Sequence, residues 1–273
     1  MSEPVLLFES SQLSVLDSRC RHPRSGPGHE RGDEPTHLAL LSRGSFRYHL
    51  GRQSHLGDGC TALLHREGTE YRVGHPGEEG DDATVIVPGP ALFDELLGAR
   101  TCASPELPLA PSTQLLHLGL RSALASDAQD LLAREEQTVE LLQAIASRHA
   151  RPIRRALGVV QRRPVSRVRE LLLANLSTNL GLDALAAEAR CSAFHLMRLF
   201  RAETGRTLRA YRRELRVSAA LARLAEGERD LARLAVELGF SNHSHLTDSF
   251  RRVLGVSPAK VRAQLFEGVG AGS

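Results

Sequence analysis

The chain has 273 residues, 41% of them hydrophobic and 4% aromatic, and a formal net charge of +3; that length suits two domains better than one core. No apolar stretch approaches a membrane span and no basic-then-apolar leader opens the chain, so membrane partners are excluded and a cytoplasmic location is expected. The four cysteines (Cys20, Cys60, Cys102, Cys191) lie far apart without CxxC spacing, which argues against a zinc ribbon or a disulfide framework.

Residues 1–100 read as β structure. Thr36–Ser42 and Phe46–Leu50 are short apolar-rich runs separated by Arg43-Gly44-Ser45, a hairpin signal. Cys60–His65, Glu70–Val73 and Ala83–Val87 follow between turn signals, a spacing that suggests a sandwich or small barrel. Arg21–Pro35, rich in Pro, Gly and charge, reads as a surface loop. Ala91–Leu97 reads as a short helix, and Pro105, Pro108 and Pro111 mark a connector. From Ser112, a candidate N-cap, Leu115, Leu116, Leu118 and Leu120 mark one helix; a second is expected from near Asp127 through Ile145. The pair either closes the β core or forms a dimer interface.

Charge divides the chain. Residues 151–273 hold 22 basic and 11 acidic residues, or +11; residues 1–150 hold the other 13 and 21, or −8. A basic half joined to an acidic half is the footprint of a nucleic-acid-binding domain fused to something else. Within the basic half one helical unit occurs twice. Leu182–Gly205 and Leu231–Gly255 match at Leu182/Leu231, Leu185/Leu234, Ala186/Ala235 and Glu188/Glu237. After one extra residue in the later turn, they match again at Leu196/Leu246, Phe200/Phe250, Arg201/Arg251 and Gly205/Gly255. Each copy has the outline of a short helix, a tight turn and a second helix, a helix-turn-helix.

In the first copy Leu196, Leu199 and Phe200 face inward, while Phe194, Met197, Arg198 and Arg201 share the opposite face. In the second, Leu246, Phe250 and Val253 face inward and Ser244, Thr247, Asp248 and Arg251 outward. A helix in the major groove presents its N-terminal outward residues to base edges. The base-reading candidates are Phe194, His195, Met197, Arg198, His243, Ser244, His245, Thr247 and Asp248. Arg198 suits guanine, Asp248 can accept from cytosine N4, and Thr247 or Phe194 can meet a thymine methyl. Arg201, Asn242, Arg251 and Arg252 are the phosphate candidates. A predicted helix at Leu208–Ala225, about 27 Å long at 1.5 Å per residue, separates the copies. With the flanking units it could hold the two reading helices about one DNA turn, ~34 Å, apart. Gly227 supplies the break after it and Asp230 the next N-cap.

Leu182–Arg262 resembles the DNA-binding region of AraC/XylS-type transcriptional regulators. The residues that carry the resemblance are LAAEARCS (185–192), HLMRLFRAETG (195–205), Tyr211, Leu215-Arg216, LAVELGFSNHSHLTDSFRR (234–252) and GVSP (255–258). The chain departs from the family pattern at Leu246, where an aromatic is usual, at Thr207-Leu208, where Ser-Pro is, and at Val261, where Tyr is common. The resemblance implies two helix-turn-helix units joined by a linker helix, operator binding by the outward residues, and a cupin-like N-terminal barrel that senses an effector or dimerises.

The expected fold is therefore α+β multidomain. Residues 1–104 form a cupin-like β-barrel regulatory domain, 105–150 a helical hairpin and 151–164 a linker; 165–266 form an all-α double helix-turn-helix domain and 267–273 a flexible tail. The expected function is a sequence-specific bacterial transcription regulator and activator, not an enzyme. Its expected partners are a double-stranded DNA operator, RNA polymerase, a small-molecule effector and a second copy of the chain. No cofactor, catalytic residue or metal site is expected. Seven histidines (His22, His29, His37, His49, His55, His65, His75) do fall between residues 22 and 75, but no H-x-H followed by Glu gives them metal-cupin spacing. The rival readings are a metal-dependent cupin enzyme carrying a helical localisation domain, or a metal or thiol sensor using Cys20, Cys60 or Cys102.

Overall fold

The computed structural model describes residues 4–21, 26, 28, 32, 34–76, 80–98, 104–125, 131–149 and 159–270. His22, His29, Cys102, the loop residues around them and the linker positions 151–158 lie outside the described residues. The chain divides into two compact units, residues 1–151 with 260–273, and residues 152–259.

The first unit carries two antiparallel sheets. The larger has the order β1 (Val5–Glu9), β2 (Leu13–Cys20), β8 (Asp81–Pro88), β3 (His37–Gly44), β6 (Thr61–His65), β9 (Glu106–Pro108). The smaller has the order β5 (Gln53–Gly57), β4 (Phe46–Leu50), β7 (Arg72–Gly74). Among the described residues both sheets are open and no closed barrel ladder joins them. β1, β2, β5 and β9 were not delimited by periodicity. The Arg43-Gly44-Ser45 hairpin does not form: β3 pairs with β6 and β8, whereas β4 pairs with β5 and β7. The chain changes sheet there instead. Gly44 has φ +75, and a Cβ on it would lie 2.2 Å from the Gly80 carbonyl oxygen.

Burial explains the sheet order. β3 has four consecutive buried residues, Leu38–Leu41, so both of its faces are covered. Leu38 and Leu40 join Val15, Ala62, Leu64 and Ile86 under the helices, with Leu120, Leu124, Leu141 and Leu142 on top. Ala39 and Leu41 face the smaller sheet and pack with Phe46, Tyr48, Leu63 and Tyr71. A strand covered on both sides loses the alternation that marks a half-buried hairpin. Truncating one such leucine to alanine costs about 2–5 kcal/mol.

After β8 come α1 (Pro90–Phe93) and a π-helical turn at Asp94–Gly98, where a short helix was expected. α2 (Pro111–Leu124) is capped by Ala110 with Pro111 in its first turn, so Ser112 lies inside the helix and is not its cap. Proline at that position loses nothing, because the first N–H groups of a helix lack intrahelical partners. α2 fixes its register on the sheet with polar bonds. Gln114 Nε2 donates to Leu41 O (2.9 Å). Arg121 Nη1 donates to Asp17 Oδ1 (2.9 Å) and to Thr84 Oγ1 (2.8 Å), and His117 Nε2 lies 2.8 Å from the same Thr84 oxygen. α3 (Leu131–His149) packs beside α2.

The second unit is helical. α4 (Val159–Ala174) begins inside the expected linker and contains Pro164. α5 (Leu182–Glu188), α6 (Ala193–Thr204), α7 (Leu208–Ala225), α8 (Leu231–Glu237) and α9 (His243–Leu254) follow. α10 (Pro258–Gly270) extends past residue 267, where a tail was expected, and its residues from Lys260 onward group with the first unit. No helix among the described residues is long and apolar enough to cross a membrane.

Candidate nucleic-acid interface

The two repeats fold alike because their punctuation is alike. α6 is capped by Ser192, whose Oγ accepts from the His195 N–H (3.3 Å); α9 is capped by Asn242, whose Oδ1 accepts from the His245 N–H (2.9 Å). Both helices end on a left-handed glycine, Gly205 at φ 69 and Gly255 at φ 78. Both turns between the paired helices reverse through one left-handed residue, Arg190 (φ 53) in the first and Gly239 (φ 76) in the second. The following N–H then reaches back to the helix: Cys191 N to Ala186 O (3.1 Å), Phe240 N to Ala235 O (2.8 Å). α7 has the bounds that periodicity gave, with Thr207 Oγ1 accepting from Ala210 N (3.2 Å) as its cap. Asp230 caps α8 as expected, accepting from Ala232 N and Arg233 N at 3.1 and 2.9 Å.

Leu196, Leu199 and Phe200 of α6 are buried, as are Leu246, Ser249 and Phe250 of α9. Tyr211 organises the first half. Phe200 meets its ring edge-on at 5.2 Å, Arg169 Nε donates to its hydroxyl (2.9 Å), and Arg169 and Arg206 stand over its faces. Arg216 organises the second. Its guanidinium, 5% exposed, donates to Leu176 O (2.7 Å), Gly239 O (2.8 Å), Thr178 O (3.3 Å) and Asn179 Oδ1 (3.1 Å). Desolvation by that burial pushes its charged form down from the usual arginine value. One side chain of α7 thus ties the segment after α4 to the turn between α8 and α9. Sequence reasoning noted Leu215-Arg216 only as part of a motif.

The outward faces are less uniform. Phe194 (73% exposed) and Met197 (46%) stand in solvent beside exposed Arg198 and Arg201. A large apolar pair left open on a basic helix is informative, since a bare surface has no use for it. Arg198 Nη2 lies 3.3 Å from His195 Nδ1. On α9, His243, Ser244, Asp248, Arg251 and Arg252 are exposed. Asp248 Oδ1 lies 3.9 Å from Arg251 Nη1, an exposed pair. Three candidates differ from these: Thr247 is partly buried, and His245 and Asn242 are exposed but make local contacts. Thr247 is half-buried with Oγ1 enclosed and unbonded. His245 turns its ring edge-on to Phe240 (5.4 Å), with Nδ1 3.2 Å from Ser241 Oγ. Asn242 commits its side-chain oxygen to the cap, while its amide nitrogen remains a donor group. Val253, read as inward, is only half-buried.

The described histidines of the first unit do not gather into one cluster. His37 and His65 stack at 4.7 Å, with Tyr48 Oη 2.7 Å from His65 Nδ1. Burial first, and His37 next, hold the His65 imidazole below its ordinary value. His55 lies 3.3 Å from Glu106.

Residues 185–264 match the model of a family described as a helix-turn-helix domain. The multiple antibiotic resistance protein MarA of Escherichia coli (strain K12) is 31% identical over 94 residues, which cover 34% of this chain and 74% of MarA. The transcriptional activator RhaR of Salmonella dublin is 31% identical over 91 residues, 33% of this chain and 32% of RhaR. A crystal structure of ToxT from Vibrio cholerae aligns over 94% of this chain and 99% of ToxT, at 12% identity and a TM-score of 0.40.

Proposed function

This chain belongs to the AraC family of DNA-binding transcriptional regulators, and from that premise we propose that α6 and α9 enter two successive major-groove segments of one duplex. Phe194, His195, Met197 and Arg198 read the first segment. His243, Ser244 and Asp248 read the second, with His245 and Thr247 shaping the start of α9 beside them. Arg201, Asn242, Arg251 and Arg252 hold phosphates. The observation that carries this reading is the repeated scaffold. Two helices with side-chain caps at matching positions and the same left-handed glycine exits turn faces bearing exposed arginines outward, at either end of an 18-residue linker helix.

The first unit is proposed as the regulatory part, a cupin-like fold that answers a small-molecule effector, with α2 and α3 as the contact between two copies. RNA polymerase is the proposed further partner. Selection of bound sequences from random duplexes by the purified protein, followed by Arg198→Ala, tests the reading. The variant is expected to lose about 1–3 kcal/mol on the selected site and to relax base preference at one position. Unchanged affinity and preference would assign the contact face elsewhere.

A further inference from the structure

Three donor side chains meet at one end of the larger sheet in the first unit. Cys20 ends β2, Asp81 begins β8, and the two are direct partners across that antiparallel ladder, which puts their side chains on one face. His75 follows β7. Gly80 allows the approach: its φ is +73, and a Cβ there would lie 2.0 Å from the Cys20 carbonyl oxygen. Cys20, His75 and Asp81 are each 5% exposed. Cys20 Sγ is 3.3 Å from His75 Nε2, and His75 Nδ1 is 2.6 Å from Asp81 Oδ2. Yet, among the described residues, that imidazole nitrogen and that carboxylate oxygen have no aligned hydrogen bond.

An in-line relay of thiol, imidazole and carboxylate does not fit. The two ring nitrogens point away from each other, so such a chain would hold sulfur and carboxylate more than about 6 Å apart. Here one donor atom from each residue lies within 4.8 Å of the other two. The donors converge. Among the described residues, Arg21 and Arg43 both close on Asp82 rather than on Asp81. A buried polar atom without a hydrogen bond is destabilising, and a bound ion offsets that cost.

We propose that Cys20, His75 and Asp81 bind a divalent transition-metal ion of the zinc class. Sulfur, imidazole nitrogen and carboxylate form a borderline-soft donor set, unlike the all-oxygen shells of calcium or magnesium. Zinc bonds of about 2.3 Å to sulfur and about 2.0 Å to nitrogen place tetrahedral ligands roughly 3.5 Å apart, close to the Sγ–Nε2 separation. Three protein ligands leave a fourth position for water or a small ligand. The inference concerns the first unit alone and does not depend on the DNA reading.

Chelator-stripped full-length protein, titrated with Zn2+ against a chromophoric competitor and with Co2+ by absorbance, tests it. One ion per chain is expected, with the visible bands of four-coordinate cobalt and a near-ultraviolet thiolate-to-metal charge-transfer band. Cys20→Ser abolishes that band. The near-isosteric Asp81→Asn weakens Zn2+ binding at least about tenfold and keeps the band at saturating Co2+. Cys60→Ser and Cys191→Ser change neither. Circular dichroism checks folding, and Asp81→Asn carries the test alone if Cys20→Ser does not fold. Substoichiometric binding, a cobalt spectrum without the thiolate band, or wild-type affinity in Asp81→Asn overturns the proposal. So does Cys20 alkylation at one rate with and without saturating Zn2+. DNA binding by the same preparations separates failure of this site from failure of the DNA reading.

Discussion

The two helix-turn-helix turns make a matched experiment, because each needs one left-handed residue and only the second has a glycine. In Gly239→Ala the new Cβ would sit 2.5 Å from Arg216 Nη2, 2.5 Å from Ser177 O and 2.7 Å from Leu176 O. Two of those neighbours are backbone carbonyls and the third is a guanidinium fixed by four hydrogen bonds, so none gives way cheaply. Left-handed backbone costs a residue with a Cβ about 1–2 kcal/mol, and overpacking adds about 1–3 kcal/mol. The stiffer unfolded chain returns about 0.4–1 kcal/mol. The net expectation is a loss of about 2–4 kcal/mol. Arg190→Gly is the converse. Arg190 is exposed at φ 53, so glycine removes strain and touches nothing, giving a gain of about 0.5–1 kcal/mol after the added freedom of the unfolded chain. Two units make one melting temperature ambiguous. The assay is therefore amide hydrogen exchange read separately in α5–α6 and α8–α9. A loss below about 1 kcal/mol in Gly239→Ala, or the same sign of change in both variants, would refute the packing argument.

Arg251→Ala and Arg252→Ala should each weaken binding to all duplexes alike and lower the slope of log affinity against log salt by about one; fluorescence anisotropy across a salt series measures it. His117 is enclosed, and desolvation, with Arg121 adding to it, lowers its pKa from 6.5 to about 3. Its neutral form therefore supports the first unit fully above pH 6.5 and progressively less as pH falls toward 3; in His117→Gln, urea midpoints over that window should lose this dependence. Glu228 is held at about 2, first by the Asp230 N–H and then by Arg233 and Arg223. Its contribution is present above the ordinary 4.5 and disappears as pH falls through 2. Glu228→Gln should flatten the acid sensitivity of α8 exchange between those values.

The DNA-binding unit was readable because its signals are local. Asp230 and Gly227 delimit neighbouring helices within a few residues of themselves, and α7 falls at the bounds its periodicity gave. The first unit was less readable because sheet membership is not local. Thr36–Leu50 looks like a hairpin, yet β3 and β4 belong to different sheets, a choice made by β8, about 40 residues downstream of β3, and β7, about 25 downstream of β4. Within the interface, exposed Phe194, Arg198 and Asp248 follow from helical periodicity. The inward turn of the Thr247 hydroxyl and the edge-on contact of exposed His245 with Phe240 depend on ring and turn geometry that spacing alone does not encode. Cys20 and His75, 55 residues apart, have no sequence signature at all.

Arg216 has a bearing on where this molecule can be cut. Because its guanidinium fastens Leu176, Thr178 and Asn179 to the later turn, the stretch after α4 is a foundation for the second helix-turn-helix rather than a lead-in to it. A fragment trimmed to begin at Leu182 would strand a buried cation with most of its acceptors gone. The smallest autonomous unit accordingly includes residues 176–179, and α4 as well, since its Arg169 holds the Tyr211 hydroxyl.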